Sequence, residues 1–170
     1  MAGKLQIRTV EKSDLDFIHK MRKNNDIMQY WCGEPYTTKE KVLKNYEDRQ
    51  PDTTIREFII YQDDEKIGYT SLFNLNFSHR TGTFGIMLDP YHQGNGHAAD
   101  STRLIVEYGF NILNLNKINL DVVDYNKKAI HVYKKVGFQI EGEKKQQYYI
   151  NGKYTNGLLM GLLKGDYKPK

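Results

Sequence analysis

The apolar periodicity changes sharply between residues 81 and 113, and this change constrains the fold more than any other feature. Thr81 to Leu88 reads as a strand. Asp89-Pro90 stops it, because proline cannot donate to a ladder. Gln93-Gly94-Asn95-Gly96-His97-Ala98 follows as a loop. Beyond it Ala98, Ile105, Tyr108 and Ile112 recur at helical spacing, so one long helix is expected to about Leu113.

The flanking segments extend the pattern on both sides. Leu5, Ile7 and Thr9 alternate with polar residues as a first strand. Ser13 with Asp16 resembles a capping box that opens a helix from about Asp14 to Met28. Thr37 or Thr38 can cap a second helix from Lys39 to Arg49. Phe58 to Tyr61 and Lys66 to Phe77 are strands separated by the turn at Asp63-Asp64, and with Thr81 to Leu88 they form an antiparallel meander. Ile118 to Val123 is strongly β-like, and Lys127 to Val136 is a helix ended by Gly137. Phe138 to Tyr149 and Tyr154 to Leu163 form a hairpin around Asn151-Gly152. The expected fold is mixed α/β: one central, mostly antiparallel sheet of about seven strands flanked by about four helices.

At 170 residues and 19.9 kDa the chain is expected to fold as a single domain. Mean hydropathy is −0.70, and no apolar run approaches the ~20 residues of a membrane span. The start, MAGKLQIRTVEKSD, carries no signal-peptide core, and the single Cys32 excludes an internal disulfide. A cytoplasmic location without membrane contact is therefore expected, with Cys32 a small apolar residue. The net charge of +4 comes from pairs such as Lys127-Lys128, Lys134-Lys135 and Lys144-Lys145 near the C-terminal end. Arg is not interleaved with aromatics in any stripe, so no nucleic-acid partner is expected, whereas a local anion such as a nucleotide phosphate remains attractive.

A strand, then Gln93-x-x-Gly96-x-Ala98, then a helix suits a phosphate. Glycine lets backbone approach the ligand, and the unpaired N–H groups and dipole of the helix start attract the anion. A tight connection would look the same. Further on, Asn126 can cap a helix and Tyr133 lies two turns down the same face, a pair that reads equally well as a cap and a core tyrosine. His19, His79, His92, His97 and His131 show no metal-ligand spacing, so no metal is expected.

Together these segments resemble the GNAT superfamily of acetyl-CoA-dependent N-acetyltransferases. Its motif Gln/Arg-x-x-Gly-x-Gly/Ala is met by Gln93, Gly96 and Ala98, and its later Asn-x-x-Ala-x-x-x-Tyr-x-x-x-Gly-Phe by Asn126, Ala129, Tyr133, Gly137 and Phe138. Tyr30-Trp31-Cys32-Gly33-Glu34-Pro35-Tyr36, Asn76 to Arg80, Tyr108 to Leu115 and Tyr149 to Tyr154 further resemble bacterial spermidine/spermine N-acetyltransferases, from Leu5 to about Tyr167. The chain departs from that group at Gly33, Lys41, Ser71 and Asn74, where acids are usual, and at His97 and Ala99-Asp100 in the loop.

The resemblance implies direct attack of an amine, most readily of spermidine or spermine, on acetyl-CoA in a ternary complex. Tyr133 is then the general acid, and Glu34 attracts the amine and accepts its proton. Backbone N–H near Met87 polarises the carbonyl, freed by a bulge in that strand. Acetyl-CoA is expected on Ile86, Met87, Leu88, Gln93, Gly94, Asn95, Gly96, His97, Ala98, Ala99, Asn126 and Lys135. The amine is expected on Met28, Trp31, Glu34, Tyr36 and Asp52. A homo-oligomer is also implied. Two alternatives stay open: N-terminal acetylation of a ribosomal protein, and a non-catalytic acyl-CoA- or polyamine-binding module.

Overall fold

The computed structural model describes residues 4–94 and 96–170. Seven strands form one sheet: β1 (Leu5–Thr9), β2 (Arg56–Gln62), β3 (Glu65–Asn76), β4 (Thr81–Leu88), β5 (Lys117–Val123), β6 (Gln139–Ile150) and β7 (Lys153–Leu163). Their order is β1-β2-β3-β4-β5-β7-β6, with β4 and β5 parallel and every other neighbour antiparallel. At the Asn151-Gly152 turn both residues take positive φ, 50° and 78°, as a two-residue hairpin of this twist requires.

Among the described residues five helices flank the sheet, where about four were expected: α1 (Leu15–Arg22), α2 (Asn25–Trp31), α3 (Lys39–Arg49), α4 (His97–Glu107) and α5 (Lys127–Val136). The single helix expected over 14–28 is split at Asn24. That residue goes extended (φ −87°, ψ 113°), and its side chain accepts from Asp26 N–H at 2.8 Å. Asparagine competes for backbone partners in this way and so restarts the helix. The opening cap also lies earlier than Ser13 and Asp16: Glu11 N–H donates to Asp14 at 2.8 Å, and Asp14 is buried against Lys66 Nζ at 2.7 Å. The cap of α3 is Thr38, which accepts from Lys41 N–H at 3.1 Å.

The long helix after the glycine turn is also interrupted. α4 ends at Glu107, and Tyr108–Ile112 forms one π turn, with Leu113 N–H donating to Tyr108 O at 3.2 Å. The wider turn rotates the register. Gly109 and Phe110 therefore go inward, while Ile112, expected on the apolar face, is 71% exposed.

Alternation in β2 explains the two-sided core. Phe58 and Ile60 face one way, Ile59 and Tyr61 the other, and all four are buried. α4, the π turn after it and α5 cover the first face with Ile105, Phe110, Ile130 and Val136 over Leu72, Phe84 and Ile118. α1 to α3 cover the second with Ile18, Met21, Ile27 and Val42 over Ile59, Tyr69 and Met87. A strand buried on both faces reads as an unbroken apolar run, as Phe58 to Tyr61 does.

Candidate active site

The parallel neighbours β4 and β5 pair only at Thr81↔Lys117, Gly82↔Ile118 and Thr83↔Asn119. Past that point β4 stays on β3 up to Leu88↔Gly68, and β5 stays on β7 up to Val123↔Gly157. The two strands therefore diverge, and the second half of β4 has a backbone edge without a strand partner. Asp89 N–H donates to Ile67 O at 2.9 Å, in register with the β3–β4 ladder. Residues of an antiparallel ladder alternate sides, so Met87 and Gly85 bond towards β3, and Leu88, Ile86 and Phe84 turn their N–H and C=O to the gap. Among the described residues the N–H groups without a ladder partner flank Met87, on Ile86 and Leu88. One expectation is corrected: no bulge in β4 frees them, since β4 runs without register shift from Thr83 to Leu88 and the irregularity lies on β3 between Phe73 and Asn76. The splay of β4 from β5 leaves them unpaired.

Two side chains close over this edge. Trp31 Nε1 donates to Ile86 O at 2.9 Å, and Gln93 Nε2 donates to Leu88 O at 3.3 Å. Gln93 thereby folds the glycine turn back onto β4. Asp89 anchors the same turn, accepting from Tyr91 N–H and pairing with Lys20 at 3.1 Å. Gly94 (φ 92°) and Gly96 (φ 82°) both have left-handed backbone, with no atom within 4 Å of where a Cβ would stand. Gly94 and Gly96 thus offer open backbone just before α4, which fits a pyrophosphate. His97 and Ala99 are buried, and Ala98 packs towards Ile60, Ile67 and Leu88, so the side chains of this first turn point into the protein. Asp100, unfavourable beside a phosphate, is turned to Arg103 (3.4 Å) and Lys170 (3.1 Å). Asn95 lies outside the described residues.

α5 supplies the other wall. Asn126 Oδ1 accepts from Ala129 N–H at 3.2 Å, so the residue is the cap of α5. Lys135 is exposed in its last turn. The Tyr133 ring stands edge-on to Phe84 of β4 and to Phe138, with centroids 6.0 Å away in both cases. Its hydroxyl has no hydrogen-bond partner among the described residues. Burial pushes the phenol well above the ordinary tyrosine value, so it is protonated at neutral pH.

On the opposite face, Trp31 spreads over Gly85, where a Cβ would stand 3.2 Å from the indole. Cys32 caps α2 in the left-handed region (φ 54°). It is exposed. Desolvation, with Asp121 nearby, pushes its thiol up to about 11, so it supplies no thiolate at neutral pH. Glu34 and Tyr36 follow as exposed loop residues. Met28 is buried, with its methyl 3.1 Å from a Cβ at Gly33. It supports the loop and does not line an open pocket. Asp52 stands apart. It accepts from the hydroxyl and amide of Thr54 (2.7 and 2.8 Å), which hold its carboxyl below the usual range. It lines a cleft of about 220 Å³ with Arg49, Arg56, Glu57 and Tyr108, a cleft that none of Trp31, Glu34 and Tyr36 borders. Sequence reading missed Tyr69, whose ring meets Trp31 edge-on at 6.1 Å. Its only sequence signal is its place in the strand expected over Lys66 to Phe77.

Comparison with known proteins places this geometry. The family model described as acetyltransferase (GNAT) domain matches residues 4–139. A spermidine N(1)-acetyltransferase of Escherichia coli (strain K12) is 37% identical over 166 residues, 98% of this chain and 89% of that protein. The crystal structure of spermidine N-acetyltransferase from Vibrio cholerae in complex with CoA and spermine superposes with a TM-score of 0.93 at 36% identity, over 96% of this chain and 97% of that one. A dodecameric structure of the Vibrio cholerae enzyme, in an intermediate state, matches with a TM-score of 0.85 at 35% identity, over 95% of this chain and 94% of that one. The chain belongs to the GNAT acetyltransferase family.

Proposed function

We propose that the chain transfers an acetyl group from acetyl-CoA to a primary amine of spermidine or spermine by direct attack. The single observation that carries this reading is the β4–β5 splay, with the open backbone of Gly94 and Gly96 at one end and, at the other, a protonated Tyr133 hydroxyl that has no partner among the described residues. The relatives named for spermidine acetylation support the choice of amine.

Each part of the chain then has one task. The backbone of Gly94, Gly96 and the first turn of α4 faces the pyrophosphate. Ile86 and Leu88 N–H groups line the β4 edge and polarise the thioester carbonyl, fixed donors where negative charge develops. Glu34 attracts the cationic amine and accepts its proton, since only a neutral amine attacks. Tyr133 gives its proton to the departing thiolate. A free phenol near ~10 is a weaker acid than a thiol near ~8.5, and burial widens the gap. The same desolvation raises the thiol as well, which narrows the gap again. Trp31 shapes the amine end of the site and Tyr36 borders it, with Met28 beneath the loop, and Lys135 lies on the exposed side of α5, where it attracts the nucleotide end.

We further infer a single catalytic domain over residues 1–170, acting in the cytoplasm as a homo-oligomer, as in the dodecameric Vibrio cholerae relative. No described helix is long and apolar enough to cross a membrane. The test is release of free CoA from acetyl-CoA across polyamines, diamines, amino acids and peptide N-termini. Turnover of spermidine and spermine is expected. Turnover of a peptide N-terminus alone would assign the chain to protein acetylation, and acetyl-CoA binding without turnover to a non-catalytic module.

A further inference from the structure

We propose that Arg49, Glu57 and Tyr69 form a buried relay that orients Trp31 against the β4 edge, with Glu57 and Tyr69 as positioning residues for acetyl transfer. The proposal rests on reading that edge as the transfer site.

The relay is a chain of contacts through the face covered by α1 to α3. Trp31 Nε1 donates to Ile86 O at 2.9 Å, so the indole plane decides whether this carbonyl is satisfied. The Tyr69 ring meets that indole edge-on, centroids 6.1 Å and planes 60° apart. Tyr69 is 2% exposed, and its hydroxyl donates a short hydrogen bond to Glu57 Oε1. The same oxygen accepts from Arg49 Nη1 at 2.7 Å. Glu57 lies opposite Ser71 in the β2–β3 register and Ile59 opposite Tyr69, so Glu57 and Tyr69 are diagonal neighbours on one face.

A packing role alone does not call for these residue types. Phenylalanine at position 69 would present the same ring to Trp31 without a hydroxyl to satisfy. The Glu57 side chain is only 13% exposed, and a carboxylate taken out of water is costly unless its partners are well placed. Apolar residues of similar volume would fill this interior at less cost. What the ionic arrangement adds is direction: Arg49 fixes the carboxylate, the carboxylate fixes the phenol, and the phenol fixes the ring plane that Trp31 rests on. Gly85 completes the seat, because a Cβ there would stand 3.2 Å from the Trp31 ring.

Trp31 is the chain's only tryptophan, so its fluorescence reports this seat directly. The full-length protein is compared with Tyr69→Phe, Glu57→Gln and Trp31→Phe, and with Tyr69→Phe in the Trp31→Phe background. Emission maximum, acrylamide quenching and thermal melting are recorded, followed by kcat and KM with acetyl-CoA and spermidine. Tyr69→Phe and Glu57→Gln are expected to shift Trp31 emission to the red and raise its quenching. They should lower kcat by roughly three- to tenfold while KM for acetyl-CoA stays within about twofold, the size of one coupled contact. In the Trp31→Phe background Tyr69→Phe should cost nothing more. Unchanged emission and quenching overturn the relay. So does a Tyr69→Phe loss that persists in full without Trp31. Tyr69→Phe removes one oxygen and leaves the Arg49–Glu57 pair, so it decides the matter if Glu57→Gln does not fold. A chain that turns over no amine would refute the proposed function, whereas the fluorescence would still decide the relay.

Discussion

Replacing Tyr133 by phenylalanine separates chemistry from structure more cleanly than any other single change here. The hydroxyl has no protein partner among the described residues, and the ring contacts with Phe84 and Phe138 survive the substitution. Folding stability should therefore change by less than ~0.5 kcal/mol, or roughly 1–2 °C in Tm for a domain of this size. Acetyl-CoA affinity should stay within about twofold, since no binding group is removed. The proton for the leaving thiolate, however, disappears. A positioned general acid typically contributes ~10²–10⁴ in rate, so kcat should fall by that factor, about 2.7–5.4 kcal/mol of barrier.

The pH profile provides a second check. The protonated phenol is the active form, and burial raises its pKa, so activity due to Tyr133 is full at neutral pH. It is lost only as pH rises through a value above the ordinary ~10. Phenylalanine should remove this alkaline limb. The assay is CoA release under saturating spermidine from pH 7 upward, with calorimetry and acetyl-CoA titration on the same preparation. Retention of kcat within about threefold, or a large drop in Tm, would refute the assignment and make Tyr133 a packing residue.

Gly96→Glu should fold with roughly 1–2 kcal/mol of backbone strain, since φ is 82° and the space around it is open, and lose acetyl-CoA binding by titration. Gly96→Ala carries the strain without the charge, so a much smaller loss of affinity is expected from it. Glu34→Gln should raise KM several-fold for spermine and less for a monoamine, because each further ammonium gains from the same anion; equal shifts for both would remove Glu34 from amine recognition. Gly109→Ala puts a Cβ 2.8 Å from Ile118 Cδ1 and 3.1 Å from Leu72 Cδ1. Overpacking of this kind costs about 1–3 kcal/mol, so calorimetry should show Tm lower by roughly 2–12 °C.

The sequence by itself determined every strand and the chemistry-bearing turns. β2 is legible because a strand covered on both faces has no polar side, β7 because Asn151-Gly152 admits essentially one hairpin, and α5 because Asn126 and Gly137 mark its ends. These signals are local, a few residues of periodicity or a single backbone conformation. What tertiary structure decided is everything that depends on a competition between local and distant partners. Asn24 could continue a helix or cap a new one, and the packing of α1 against α3 settles it for the cap. Tyr108 to Ile112 fits a regular helix in sequence, yet the close approach of Gly109 to Ile118 and Leu72 selects the π turn and turns Ile112 outward. The active-site edge is the clearest case. The residues 86–88 were legible, but which N–H groups face the ligand depends on the phase of the β3–β4 ladder. That they are free at all depends on where β5 leaves β4. Both follow from pairings of residues 16 to 20 apart between β3 and β4 and 36 apart between β4 and β5, which no local pattern encodes.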